Sequence, residues 1–404
     1  MAKEKVLTAI DIGSYEVKVA IGVPQVDGQV QVMGVASSPS RGIKQGVVIN
    51  INDTLKALGL AISDAQDMAG MQAQNVYCSI SGTHIEGAPG NGLVKVRGNE
   101  IDRHDVDEAL QSCAAIKIES TRELLHSLPQ EFIVDGTDGV RDPIGISGVR
   151  LESKVYNVTV GATCARNIIK CINLSGSEVK NLIVSPVASS ASVLRDDEKE
   201  LGVLLLDIGA GTTDVIVHKD GAVQFIDVIA NAGNNITSAL AVNLKTPIAV
   251  AENIKKSYSL NSGSFSKKMI DISFNGVGGR TEVSTRTISE MIESKVKDIF
   301  KDVKDRVEMN CNFPITSVVL CGGIANLRGI DAFAEAVFDA PARIATVREI
   351  GGLADLIKDP QYATISGLLK LANSNYSYLR QTPTKDDGPM KIFRKIGNWF
   401  CENF

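Results

Sequence analysis

One unusual pattern occurs twice in this chain, at Ala9-Ile10-Asp11-Ile12-Gly13-Ser14 and at Leu205-Leu206-Asp207-Ile208-Gly209-Ala210-Gly211-Thr212-Thr213-Asp214. In each copy an apolar strand runs into an Asp, a Gly-containing turn follows, and a second apolar strand leaves: Val17 to Ile21, and Val215 to Val217. Glycine permits positive φ and lets a ligand approach the backbone. Consecutive N–H groups in such turns form an anion-binding concavity, and Ser or Thr hydroxyls add donors. The Asp repels phosphate. Its natural role is to hold Mg²⁺ through water, because that cation favours carboxylate oxygens and keeps much of its hydration shell. Two such hairpins face to face would clamp a nucleotide triphosphate from both sides. A single D-I-G hairpin is explained equally well as a tight β-turn, so a third segment matters. From Ser317 to Gly329 a buried-type strand runs into Gly322-Gly323, a turn able to lie against a purine or its ribose.

At 404 residues the chain is too long for one ordinary core, so two or more domains are expected. A net charge of −5 argues against a general nucleic-acid binder, which would carry a basic excess. The seven Cys form no C-x-x-C pair and no Cys/His cluster at zinc spacing, and the four His are scattered. Reduced, buried thiols are the expectation. No signal-peptide pattern opens the sequence, and no apolar run reaches the ~18–20 residues of a membrane span. Walker A, nucleophile-elbow and H-E-x-x-H patterns are absent.

Strand-like segments at 5–12, 16–23 and 29–36 precede a helical stretch from Leu55 to Met68 and a strand at 75–81. Residues 82–97 are Gly-rich and read as irregular, marking a change of domain. Val106, Ala109, Leu110 and Cys113 have helical spacing, and 131–134 and 154–160 read as strands, so 82–160 is taken as an inserted module. A helix at 163–175 and a strand at 180–185 return to the first domain. The charged run from Arg195 to Glu200 reads as a solvated connection. Most of 235–310 reads as helical, with Ile288, Ile292, Val296, Ile299 and Val303 as the core stripe. A last helix starts near Ala363, and 373–390 looks like a flexible tether.

These three glycine motifs, in this order, resemble the phosphate-1, phosphate-2 and adenosine motifs of the actin/Hsp70/sugar-kinase ATPase superfamily. The flanks Ser38 to Ile43, Ser81 to Ile85, Gly145 to Leu151 and Ala188 to Leu194 through Gly202 resemble the FtsA family of bacterial cell-division proteins over essentially the whole chain. That resemblance implies an α/β actin-like two-domain fold with an inserted 1C subdomain. Subdomain 1A would comprise 1–81, 161–198 and 361–373, 1C would be 82–160, 2A would be 199–241 and 313–360, and 2B would be 242–312. A linker at 374–388 and an amphipathic helix at 389–404 would follow.

The motif match assigns nucleotide contacts to Asp11, Gly13, Ser14, Tyr15 and Lys18, to Asp207, Gly209, Gly211, Thr212 and Thr213, and to Gly233, Gly322, Gly323 and Asn326. Asp11 and Asp207 would hold Mg²⁺ through water, with ATP as the nucleotide. Glu252, Lys255 and Lys256 resemble a chaperone helix that lies along the adenosine; E-x-x-K-K is also an ordinary solvated helix face. Active relatives carry a water-orienting Gln or Glu just before a Pro/Ala-rich helix start. Here that position is Ser185, in Val184-Ser185-Pro186-Val187. Loss of such a group costs orders of magnitude in rate, so the expectation is tight ATP binding with weak hydrolysis at most. ATP would then act as a conformational ligand.

The tail is the second strong signal. Ile392, Phe393, Ile396, Trp399 and Phe400 fall on one helical face, with Lys391, Arg394, Lys395 and Asn398 opposite. An aromatic apolar face with a basic polar face describes an interfacial membrane anchor; the same face also fits a groove on a protein. Five apolar side chains give a gross gain of about 7–15 kcal/mol if fully buried, much of which ordering and partial insertion remove. One tail is then a weak anchor, and many on a polymer bind firmly. The resemblance implies a filament-forming adaptor at the division site. It would tether the tail of FtsZ to the cytoplasmic face of the inner membrane, an anionic surface, among other divisome proteins. The FtsZ contact would lie on 2B near Arg286 and Glu290, where a plain solvated helix start reads nearly as well. A PilM-like pilus scaffold and a small-molecule kinase of the same fold are the alternatives. The amphipathic tail speaks against the first, and the lack of an identifiable catalytic Asp against the second.

Overall fold

The first lobe begins with a meander of β1 (Leu7–Ile12), β2 (Glu16–Pro24) and β3 (Val30–Pro39). A short arm of β4 (Ile43–Lys44) and β5 (Val47–Val48) leads into α1 (Ile51–Ala69), then β6 (Val76–Ile80), parallel to β1. The side chain of Asn50 caps α1 by accepting the Asp53 amide, and Thr54, Ala57, Leu58, Ala61, Ile62 and Ala65 bury one face. In this computed structural model residues 5–114, 118–258, 260, 269–273 and 280–374 are described. The tether and the terminal amphipathic segment, including the set from Ile392 to Phe400 expected to meet lipid, lie outside the described residues apart from Asn373 and Ser374.

The inserted unit follows: β7 (Glu86–Lys95), α2 (Arg103–Ala114), β8 (Arg122–Val134), β9 (Thr137–Val140) and β10 (Arg150–Gly161), in sheet order β7-β10-β8-β9. The expectation of an irregular 82–97 fails here, because β7 pairs antiparallel with β10 along its whole length. Its glycines serve packing. A Cβ added at Gly92 would stand 2.2 Å from the Ala109 carbonyl oxygen, so the bare backbone is what lets α2 lie on the strand. Val106, Ala109, Leu110 and Cys113 then meet Phe132, Leu151 and Val155 in a separate small core.

Next, α3 (Ala162–Leu174), β11 (Val179–Val184) and α4 (Ser185–Val193) return to the first lobe, with β11 parallel to β6. The charged run is exposed at Arg195, Asp196 and Asp197, as read, but Glu198 departs from that reading. The run forms a short helix, α5 (Asp196–Leu201), in which Glu198 is only 6% exposed. Its carboxylate is held by Arg343 Nε at 2.7 Å and by the Arg195 amide at 2.8 Å, the pairing a buried charge requires.

The second lobe repeats the first. A meander of β12 (Val203–Ile208), β13 (Thr213–Lys219) and β14 (Ala222–Ile229) is followed by α6 (Gly233–Asn243) and α7 (Ile248–Ser257). Then come β15 (Met269–Ser273), β16 (Arg280–Ser284), α8 (Thr285–Asn310) and β17 (Ser317–Cys321). The lobe closes with α9 (Ile330–Phe338) and β18 (Ala342–Ile344). The reading of 235–310 as mostly helical missed the β15–β16 hairpin; the stripe from Ile288 to Val303 is buried on α8 as expected. The chain re-crosses to pair β19 (Ile350–Gly352) with β3, and the described elements close with α10 (Ala354–Ile357) and α11 (Ala363–Asn373).

The two main sheets share one plan. The first has the order β11-β6-β1-β2-β3-β19 and the second β14-β13-β12-β17-β18. In each, the leading strand pairs antiparallel with the next strand and parallel with a later one: β1 with β6, β12 with β17. One core spans the first lobe and the inner face of the second sheet, and another fills the second lobe. Among the described residues, no helix is long and apolar enough to cross a membrane.

Candidate functional site

The shared plan brings the two glycine turns to the same end of two facing sheets, where they border a cavity of about 390 Å³. Asp11 and Asp207 hold the same place, one residue before the end of their strands. Asp11 pairs across the ladder with Lys18, and Asp207 with Asp214. Each Asp is also held from its parallel neighbour. Ser79 Oγ donates to Asp11 Oδ1 at 2.6 Å, and Cys321 is the ladder partner of Asp207. Thr364 Oγ1, from the first turn of α11, donates to Asp207 Oδ2 at 2.8 Å.

The turns approach closely. A Cβ on Gly211 would stand 2.4 Å from Ser14 Oγ, and that hydroxyl accepts the Gly46 amide at 3.1 Å. Ser81, just after β6, donates to Asp214 Oδ1 at 2.5 Å and lies 3.3 Å from Thr212 Oγ1. Lys18 reaches over Tyr362, its Nζ 3.0 Å from the Gln361 carbonyl oxygen. Ser185, the first residue of α4, lines the cavity, so the N-terminus of that helix faces it.

The opposite wall comes from α7 and the turn after β17. Glu252 pairs with Lys255 at 2.7 Å and accepts Thr237 Oγ1 at 2.6 Å. Lys256 lies over the Tyr15 ring and donates to its hydroxyl at 3.0 Å, a bridge between the lobes at the cavity wall. Gly322 has φ 83 and ψ 175, a conformation open essentially to glycine alone, and a Cβ there would stand 2.5 Å from Asp207 Oδ1. Asn326 is held by Asp359 at 2.9 Å.

Burial pushes the Asp207 carboxyl up to about 6; the Thr364 bond opposes this and the neighbouring Asp11 adds to it. Burial, then the charge of Asp207, carries Asp214 well above the usual carboxylate range, against the Ser81 bond. Burial lowers Lys255, with Glu252 opposing. Burial would raise Glu252, but its bonds to Lys255 and Thr237 prevail and hold it low. No salt bridge joins Asp11 or Asp207 to a cation among the described residues. The half-buried Asp11 and the buried Asp207, facing the cavity without a cation, fit a hydrated divalent cation. The described residues offer no cluster of three or more His, Cys, Asp or Glu. The glycine-turn amides, the α4 N-terminus and Lys18 suit a polyanion.

Of the residues singled out in the sequence, the cavity gathers Asp11, Gly13, Ser14, Tyr15, Lys18, Asp207, Gly209, Gly211, Thr212, Glu252, Lys255, Lys256, Gly322, Gly323 and Asn326. Thr213 is not on the wall, since its hydroxyl donates to the Asn231 carbonyl oxygen at 2.7 Å. Gly233 stands behind it, with its amide on the Gly209 carbonyl oxygen. Arg286 and Glu290 pair with each other at 2.7 Å on the exposed start of α8, away from the cavity. The cavity also contains Ser81, Asp214, Gly46 and Thr364, which the reading of the hairpins left out. Asp214 carries a signal, since it closes the second motif opposite Asp207. The others arrive through tertiary packing.

Residues 204–367 match the family model described as Cell division protein FtsA, and residues 82–159 match the SHS2 domain inserted in FTSA. The cell division protein FtsA of Pseudomonas aeruginosa is 34% identical over 410 residues, covering 99% of this chain and 98% of its own. Among solved structures, the PilM-PilN type IV pilus biogenesis complex superposes with a TM-score of 0.64 at 16% identity, over 91% of this chain and 98% of that one. MreB 5 of Spiroplasma citri, solved bound to AMPPNP, gives a TM-score of 0.56 at 15% identity, over 90% of this chain and 95% of that one. The structural likenesses establish the actin-like fold. With a relative matching at this identity from end to end, and with the family's inserted domain matched at 82–159, the chain belongs to the FtsA family of cell-division proteins.

Proposed function

We propose that the chain is an ATP-binding cell-division adaptor. It polymerises and anchors the FtsZ ring to the inner face of the cytoplasmic membrane, hydrolysing ATP slowly or negligibly. The observation that carries the reading is the convergence of two duplicated glycine turns, each preceded by a strand-end Asp, on one cavity between the lobes. The turn amides and Lys18 would receive the phosphates, and Asp11 and Asp207 would hold a hydrated Mg²⁺ that offsets their charge. Glu252, Lys255, Gly322 and Gly323 would border the nucleoside. Ser185 faces the cavity where a water-orienting carboxylate or amide is expected; its short hydroxyl supports slow turnover. The 389–404 segment would supply the anchor, and the exposed face of α8 around Arg286 would meet the FtsZ tail.

The test is co-sedimentation with anionic liposomes, comparing the full chain with a version ending at Gly388, each with and without ATP·Mg²⁺ and FtsZ. Pelleting of the full chain alone, strengthened by ATP and carrying FtsZ with it, is the expected result. Equal pelleting of both versions, or of neither, removes the membrane tether. That outcome returns weight to the pilus-scaffold and kinase alternatives, whereas pelleting of the full chain without FtsZ removes FtsZ as its partner.

A further inference from the structure

The inserted domain leaves the first lobe after β6 and returns to it through β10, yet its outer sheet seats on the second lobe. β14 is the edge strand of the second sheet, and an edge presents unpaired N–H and C=O groups. At its middle, Ile226 is met by a tyrosine instead of another strand. The Tyr156 hydroxyl accepts the Ile226 amide at 3.0 Å and lies 3.4 Å from the Ile226 carbonyl oxygen. Tyr156 is 5% exposed. A second contact comes from a bulge. The β8–β10 register shifts between Lys154 and Val155, leaving Gln130 without a ladder partner. Bulges re-aim side chains, and this one sends Gln130 Nε2 to the Val223 carbonyl oxygen at 2.7 Å. A third is the two-pronged pairing of Arg141 with Glu200 on α5, at 2.6 and 2.5 Å. That pair is about half exposed and therefore contributes little. The buried Tyr156 bond is the strong member of the set. The insert's first connection is itself a cavity residue, Ser81, bonded to Asp214 across the cleft.

We infer that the inserted domain is a strap between the two lobes. It is fixed at the cavity floor by Ser81 and at the edge of the second sheet by Tyr156 and Gln130, and it limits how far the cleft opens. The lobes cannot separate while β14 stays bonded to the insert. Release of a ligand from the cavity then requires the Tyr156–Ile226 contact to break or the insert to swing with the second lobe. Resting on the nucleotide reading, this assigns the insert a role in ligand residence time separate from any contact with another subunit.

The experiment uses the full chain with Tyr156→Phe, which keeps the ring and removes the hydroxyl, beside Arg141→Ala. Release of a fluorescent ATP analogue is followed by stopped flow, and amide exchange is read on β14 and on the 209–214 turn. Tyr156→Phe is expected to speed release about three- to tenfold, the loss of one buried hydrogen bond, and to deprotect both β14 and the turn. Arg141→Ala should change release less than about twofold. If Tyr156→Phe deprotects β14 alone and leaves release unchanged, the contact is a local staple and the strap is refuted. If the unaltered chain binds no nucleotide, the nucleotide reading fails, and exchange at 209–214 decides the strap alone: deprotection sustains it and unchanged protection overturns it.

Discussion

Gly322 and Gly323 are adjacent, and the structure predicts opposite consequences for the same substitution. At Gly322 the backbone has φ 83 and ψ 175, and an added Cβ would lie 2.5 Å from the Ile208 carbonyl oxygen and 2.5 Å from Asp207 Oδ1. A non-glycine residue in that backbone region costs about 1–3 kcal/mol. The Ile208 carbonyl belongs to β12 and cannot rotate away, so overpacking adds about 1–3 kcal/mol more. Gly322→Ala should therefore destabilise the second lobe by about 2–6 kcal/mol, against a total of about 5–15 for an ordinary domain. At Gly323 a Cβ meets nothing within 4 Å, so Gly323→Ala should stay within about 0.5 kcal/mol. Urea unfolding followed by circular dichroism measures both, provided the slopes agree. The crowded Asp207 should also lose its Thr364 bond, so ATP affinity should fall at least about tenfold in Gly322→Ala. Equal urea midpoints for the two variants would show that the turn after β17 is not held as described.

Two further outcomes follow from the cavity. Ser185→Gln should raise single-turnover ATP hydrolysis by about tenfold or more, because it restores a side chain long enough to orient water; an unchanged rate would mean that the short side chain is not what limits turnover. Asp207 stands at about 6 in the fold and near ~3.9 in an unfolded chain. Its contribution to apo stability is thus complete below the unfolded value and lost as pH rises through the folded one. Mg²⁺ needs the charged carboxylate, so the Mg²⁺-dependent part of ATP affinity should grow roughly tenfold from pH 5 to pH 7. Titration calorimetry with and without a chelator reads this, and a Mg²⁺ effect equal at both pH values, or one retained in Asp207→Asn, would contradict the assignment.

The hairpins were legible because their chemistry is local: an Asp at a strand end and glycines in the following turn do not depend on the rest of the chain. The stripe on α8 was legible for the same reason, since helical periodicity reports burial directly. Errors arose where tertiary packing overrode local composition. Gly90 and Gly92 look like loop residues until α2 is seen to lie on their strand. Glu198 looks as solvated as its neighbours on α5 until Arg343 arrives from 145 residues away to pair with it. Ser81 and Thr364 enter the cavity from the end of β6 and from α11, and nothing in their immediate neighbours marks them as cavity residues, because the bonds they make reach Asp214 and Asp207 across the cleft.

The duplicated frame has one consequence for direction. A pocket made from two equivalent hairpins related by a pseudo-twofold would accept a chain of phosphates either way round. The ladder partner of Asp11 is Lys18, whereas the partner of Asp207 is Asp214. One half of the frame thus carries a cation where the other carries a carboxyl group, and the potential falls from one lobe to the other. That departure from symmetry gives the cleft a polarity, by which a bound polyphosphate would be read in one sense.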